Sequence, residues 1–359
     1  MKVLLLGYNY ASVISSICDG NKAIGVDCRA ILAETYIYKY RKYDNIETPF
    51  VNNKKTWIGK RLNTIQAYFK LYKALKNADV IHVFSDFDVS NRFFSSQQFK
   101  NYFFGKVFKG KKFVTFLGVD IRNPKIEYEV NPFYKYAAYS KNYEYGHIET
   151  ENQSNRLQES FSKLGFHLIS SVETEMFINP EYFPQFKICH YPSNPISKSS
   201  EESKRSEKKI RIAHAPTAPF AKGTPYVIEA IRNLEKQGIT NFEFVLLKDL
   251  TVDEYLSELA KTDILIDQLI WGWYGVAAQQ ALSMGKIVFC YVSDNRTKYI
   301  ENAPVINVNC NNLTETLISF LKKSQEEIDQ IKQSGVSYYD LNHRPELIAA
   351  QFLDAYQKA

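Results

Sequence analysis

The chain has 359 residues, 45% hydrophobic and 23% charged, which is ordinary globular usage and matches about two domains. That balance excludes a wholly disordered chain, a collagen-like repeat and a small disulfide-stapled module. Its 45 Lys and Arg against 39 Asp and Glu leave a net charge of +6, too mild for a dedicated nucleic-acid binder but suited to an anionic small molecule or an anionic membrane surface.

The first residues, Met1-Lys2-Val3-Leu4-Leu5-Leu6-Gly7, lack the long apolar region and small-residue cleavage site of a signal peptide. They read as a buried first strand. Gly7 closes it, either as a plain turn or as a place where bare backbone approaches a ligand. No uninterrupted apolar stretch reaches the roughly 18 residues of a spanning helix, so a soluble, cytoplasmic chain is expected. Further strands are predicted at 25–32, 79–84, 112–116 and 166–171. These short, continuous apolar runs suit strands buried on both faces of a parallel sheet, and the intervals between them can hold crossover helices. His82 lies inside such a run and reads as a satisfied core histidine. Asp120 and Arg122 follow the strand at 112–116, and read equally as ligand-facing groups or as a surface ion pair.

Two segments of this half, 54–76 and 100–112, mix lysines with aromatics. They read as docking to an anionic leaflet or as helices packing aromatics on the sheet with solvated lysines. Beyond Pro195 the pattern stops, and residues 197–209 contain no apolar side chain, as in an exposed loop. A second series follows, with strands predicted at 210–213, 242–247, 263–267, 287–291 and 305–308. Helices are predicted at 224–237, 252–262, 276–284 and 313–323, and helical spacing returns at 345–358. The expected organisation is α/β, with two doubly wound, Rossmann-like parallel-sheet domains. The first spans 1–195, a polar linker 196–209 and the second domain 210–342. A terminal helix at 343–359 is expected to pack back on the first domain. Ligands of such sheets bind at the carboxyl ends of the strands, here expected in a cleft between the domains.

Chemistry concentrates in two stretches of the second half. In the first, the strand at 210–213 leads into His214-Ala215-Pro216-Thr217 and then Lys222-Gly223-Thr224, with Pro225 in a first helical turn. A lysine beside a helix N-terminus is a compact charge suited to a diphosphate; a solvated loop lysine is the plainer alternative. In the second, Ile266-Asp267-Gln268-Leu269 leads through Gly272-Trp273-Tyr274-Gly275 to a helix ending Ala281-Leu282-Ser283-Met284-Gly285-Lys286. The helix beginning Val276-Ala277 offers free backbone N–H groups to an anion. Gln280 sits one turn further in and can present an amide to ribose or sugar hydroxyls. The five cysteines (18, 28, 189, 290, 310) form no Cys-x-x-Cys pair and read as buried thiols, and the six histidines are scattered.

Together, in this order and spacing, the two stretches resemble the C-terminal half of GT-B glycosyltransferases of the retaining, glycogen-synthase-like group (glycosyltransferase family 4, or group 1) of bacterial polysaccharide synthesis. The resemblance is specific over 210–292 and diffuse elsewhere. It implies a hexosyltransferase-type enzyme that passes a sugar from a nucleotide-sugar donor to a growing glycan or lipid-linked acceptor. No metal, other cofactor or nucleic acid is implied, and contact with the inner face of the cytoplasmic membrane is expected to be peripheral. It places Lys222, Gln280 and Asp120 as catalytic candidates. The donor would lie against Gly7, Thr217, Lys222, Gly223, Thr224, Tyr274, Gly275, Val276, Ala277 and Gln280. Catalysis in this group rests on stabilising the leaving diphosphate and aligning the acceptor. The sequence also departs from the group. Gly272 and Gln280 stand where two glutamates are usual, Thr217, Ala218 and Pro219 where an arginine is usual, and Leu117 where a histidine often follows. The alternative is therefore a catalytically degenerate relative that binds a glycan or supports another glycosyltransferase. A sugar-nucleotide epimerase of the same architecture would need an acidic and histidine constellation that the sequence does not display.

Overall fold

The computed structural model describes residues 1–32, 46–49, 56–84, 97–118, 120–134, 151–196, 209–299 and 304–359. Strands run β1 (Lys2–Gly7), β2 (Asp27–Leu32), β3 (Ile46–Glu47), β4 (Val80–Phe84), β5 (Lys111–Thr115), β6 (His167–Ser171) and β7 (Lys187–Cys189). They continue as β8 (Ile210–His214), β9 (Phe242–Leu246), β10 (Ile264–Ile266), β11 (Ile287–Cys290) and β12 (Val305–Asn307). The helices are α1 (Val13–Ala23), α2 (Trp57–Asn77), α3 (Gln97–Lys100), α4 (Pro124–Val130), α5 (Glu151–Ser162) and α6 (Pro219–Lys222). After them come α7 (Thr224–Lys236), α8 (Val252–Ala260), α9 (Val276–Ser283), α10 (Leu313–Phe320), α11 (Gln325–Asn342) and α12 (Pro345–Lys358).

Two compact units result. One comprises Met1–Asn123, Glu149–Pro192 and Arg344–Ala359, and the other Pro124–Ile148 and Ser193–His343. The first holds a seven-stranded sheet in the order β3-β2-β1-β4-β5-β6-β7, and the second a five-stranded sheet in the order β12-β11-β10-β8-β9. All pairings are parallel. The expected doubly wound parallel architecture is what these sequences build, because the central strands are apolar on both faces: Val3 to Leu6 and all of β4 are buried.

The division of the chain departs from a single boundary at 195. Residues 124–134 belong to the second unit, although they lie in the first half of the sequence. Hydrogen bonding and charge hold them there: Asn131 Nδ2 donates to the Ile270 carbonyl at 2.8 Å, and Glu127 pairs with Arg296. The polar residues 197–208 lie outside the described residues.

In the first unit the terminal helix α12 is tied to the sheet through His82. The Thr115 hydroxyl donates to the Ile169 carbonyl at 2.7 Å, so its oxygen must accept from His82 Nε2–H, 2.8 Å away. His82 Nδ1 is then the acceptor for the Tyr356 hydroxyl at 2.7 Å. The histidine is satisfied on both nitrogens and has no exposure, as a core reading of it requires. At the carboxyl end of β1, Gly7 has φ +152°, and a Cβ there would lie 2.4 Å from the Phe84 carbonyl oxygen. Two parallel strands can close this tightly where the strand order reverses only because the side chain is absent.

Candidate functional site in the second sheet

In the second sheet the order reverses between β8 and β10, and ligands of open parallel sheets bind outside the carboxyl ends at such a point. β8 ends in His214, whose Nδ1 lies 2.8 Å from the Ile266 carbonyl at the end of β10. A carbonyl only accepts, so Nδ1 carries the proton. Nε2 then accepts from the Thr224 hydroxyl at 2.8 Å. This bond fixes the first turn of α7 against the strand end. Burial pushes His214 down to about 4, so the ring is neutral near pH 7.

Asp267, the residue after β10, joins the two stretches that the sequence singled out. One carboxylate oxygen accepts from Lys222 Nζ at 3.0 Å and the other from the backbone N–H of Gly275 at 2.7 Å. A buried carboxylate thus clasps the lysine at the end of α6 and the N-terminal cap of α9. The backbone is also joined, since Leu269 N–H donates to the Lys222 carbonyl at 3.1 Å. The first-turn N–H groups of Val276 and Ala277 have no intrahelical acceptor, and both residues are partly exposed. Gln280 is partly exposed one turn further on, and Thr217 is exposed on the loop between β8 and α6. Sequence reasoning singled out neither the role of Asp267 nor Gln279, whose side-chain oxygen is buried without a hydrogen-bond partner.

The remaining candidates are placed differently. The Tyr274 hydroxyl is held by the Tyr338 hydroxyl and by His343 Nε2, each at 2.9 Å, and its ring is buried and stacks on Trp273. The Tyr274 side chain braces the loop from beneath. Gly272 has φ +71°, and a Cβ on it would meet Ser293 Oγ at 2.9 Å and Arg296 Nη1 at 3.0 Å. A glutamate at this position would need the loop to move. Gly7 and Asp120 belong to the first unit. Asp120 is buried, and its oxygens accept from the backbone N–H groups of Gly118 (2.9 Å) and Leu117 (3.2 Å). That carboxylate closes a turn at the carboxyl end of β5. Arg122 pairs with Glu173 at 2.7 Å and is itself buried. Among the described residues no three His, Cys, Asp or Glu side chains converge as a metal site.

No family model and no curated protein matches this sequence. Solved structures do match, over essentially the whole chain. Sucrose-phosphate synthase from Thermosynechococcus elongatus aligns with a TM-score of 0.63 at 10% identity, covering 100% of this chain and 99% of that one. Anabaena HepE in complex with UDP aligns at 0.62 and 11% identity, covering 100% of both. WaaG, a glycosyltransferase of lipopolysaccharide biosynthesis, aligns at 0.55 and 14% identity, covering 97% and 98%. The fold is therefore the GT-B architecture, two Rossmann-like parallel-sheet domains.

Proposed function

We propose that this protein is a retaining glycosyltransferase. It would take a hexose from a nucleoside diphosphate sugar and pass it to a glycan or lipid-linked acceptor of a bacterial surface polysaccharide. The observation that carries the reading is the clasp of Lys222, Asp267 and the Gly275 N–H at the strand-order reversal of a GT-B fold. Lys222 and the first turn of α9 supply positive potential for a leaving diphosphate. Asp267 holds both in place, at the cost of its own negative charge beside them. The amide of Gln280 stands ready for ribose or sugar hydroxyls. No metal is required for charge stabilisation of this kind.

One observation favours a second reading, an accessory subunit without transfer activity. The positions usually held by paired glutamates carry Gly272 and Gln280, and the space at Gly272 is filled by Ser293 and Arg296. The two readings separate by calorimetry with UDP, GDP and ADP. If Lys222 faces a diphosphate, Lys222→Ala weakens binding by roughly 1.5–3 kcal/mol, the scale of a hydrogen bond to a charged group. Asp267→Asn removes the opposing charge but leaves one acceptor oxygen where Lys222 and the Gly275 N–H use two, so the clasp opens and binding should weaken as well. Unchanged affinity in Lys222→Ala would remove the diphosphate from this site.

A further inference from the structure

Helix α2 buries one face and leaves a second apolar face in solvent. Thr56 caps its start by accepting from the Gly59 N–H at 3.2 Å. Ala67, Leu71 and Leu75 are buried, and Tyr68 stacks on Phe103 with ring centroids 5.9 Å apart. That is the side the helix presents to the first unit. Ile58, Leu62, Ile65, Phe69 and Tyr72 lie elsewhere on the cylinder, each between 39% and 65% exposed, and Trp57 is equally open at the first turn. Their spacing of four, three, four and three residues confines the stripe to an arc of about 80°, at 100° per residue. It runs for about 21 Å at 1.5 Å per residue.

The charge along this helix is one-sided. Lys60, Arg61, Lys70, Lys73 and Lys76 fall within it, and no Asp or Glu does. Several cations lie over the exposed rings: Arg61 over Trp57 at 3.9 Å, Lys73 over Phe69 at 4.5 Å and Lys76 over Tyr72 at 6.0 Å. Lys70 also reaches Glu47 at 3.5 Å, an exposed contact of little strength. An apolar stripe flanked by unopposed cations is complementary to a surface that is anionic outside and hydrocarbon beneath. A second copy of the helix laid on the stripe would bring only further cations to it, because the helix carries no Asp or Glu.

We infer that α2 is an in-plane anchor by which the first unit lies on an anionic lipid bilayer, its apolar stripe in the headgroup boundary and its lysines among the acidic headgroups. The other basic, aromatic stretch of the sequence does not share this role. Phe103, Phe104, Val107 and Phe108 are core residues, Lys100 is buried, and Lys111 Nζ donates to the Tyr356 carbonyl at 2.8 Å, capping the end of α12. Residues 54 and 55 lie outside the described residues.

Sedimentation of the full chain with vesicles tests this, comparing phosphatidylcholine alone with phosphatidylcholine containing phosphatidylglycerol. Two variants separate the components: Ile65→Glu/Phe69→Glu on the stripe, and Lys73→Glu/Lys76→Glu on its flank. All four side chains are exposed, so each variant should keep the wild-type circular dichroism. Binding to anionic vesicles is expected to exceed binding to neutral ones at least about tenfold. It should fall by about tenfold or more in either variant, and weaken near 1 M salt, where the Debye length is about 3 Å. Equal recovery on both vesicle types, no recovery on either, or a wild-type dimer that Ile65→Glu/Phe69→Glu dissociates would each overturn the inference.

Discussion

Replacing Arg296 with methionine is expected to destabilise the second unit by about 3–5 kcal/mol, the scale of a buried ion pair that loses one partner. Arg296 is 1% exposed and Glu127 not at all. The guanidinium lies 3.6 Å from a Glu127 oxygen, and its Nη1 lies 3.2 Å from Ser293 Oγ and 3.4 Å from the carbonyls of Trp271 and Gly272. Without it, a carboxylate remains in the core with the Asn131 amide at 2.9 Å to stabilise its charge. The loop 271–274 also loses the cation that gathers its carbonyls. Two of the three tryptophans, Trp271 and Trp273, are buried in this loop while Trp57 is exposed on α2. Tryptophan fluorescence during urea unfolding therefore reports this unit. Adding Glu127→Gln should recover part of the loss, because it removes the stranded charge. A shift below about 1 kcal/mol for Arg296→Met would show that the pair does not hold α4 to the loop.

Acid is expected to weaken both units through two buried histidines. Burial pushes His82 down to about 3 and His214 down to about 4. Each is neutral in the folded chain, whereas the unfolded chain takes up a proton as pH falls below about 6.5. Protons therefore favour unfolding. The stability these rings contribute is complete above about pH 6.5 and is lost as pH falls toward the folded values. At pH 4 the loss is about 3 kcal/mol for each ring, one in each unit. Urea midpoints at pH 7 and pH 4 measure it, with His82→Gln and His214→Gln as controls that remove one titration at a time. If His82→Gln has the same pH dependence as the wild type, His82 is not the titrating group.

Much of this architecture is written in local pattern. Leu4 to Leu6 and Val80 to Phe84 are too apolar for anything but a strand buried on both faces, and Gly285 ends α9 where helical spacing stops. The edge strands β3 and β7 span two and three residues, with none of the continuous apolar run that identifies the centre of a sheet. The long α11 carries a weak pattern because few of its residues are fully buried, Gly335, Tyr338 and Tyr339, while Ile328 and Ile331 pack only partly against the core. Its capping box, Ser324 with Glu327, was the local signal that marks its start. The candidate site divides along the same line. Lys222 and Gly275 stand out by composition and spacing, yet the carboxylate that joins them, Asp267, meets a lysine 45 positions away, and no period or motif encodes such a contact. Tyr274 carries the opposite lesson. An aromatic in a glycine loop looks accessible until the residues beneath it, Tyr338 and His343, are in place.

The measurement that bears most directly on the central claim is the release of nucleoside diphosphate from a panel of UDP-, GDP-, ADP- and dTDP-hexoses incubated with the protein. With one class of donor, release above the uncatalysed rate is expected, and it is lost in Lys222→Ala. No release from any donor, with no donor raising the melting temperature, would contradict a glycosyltransferase and leave the accessory-subunit reading in its place.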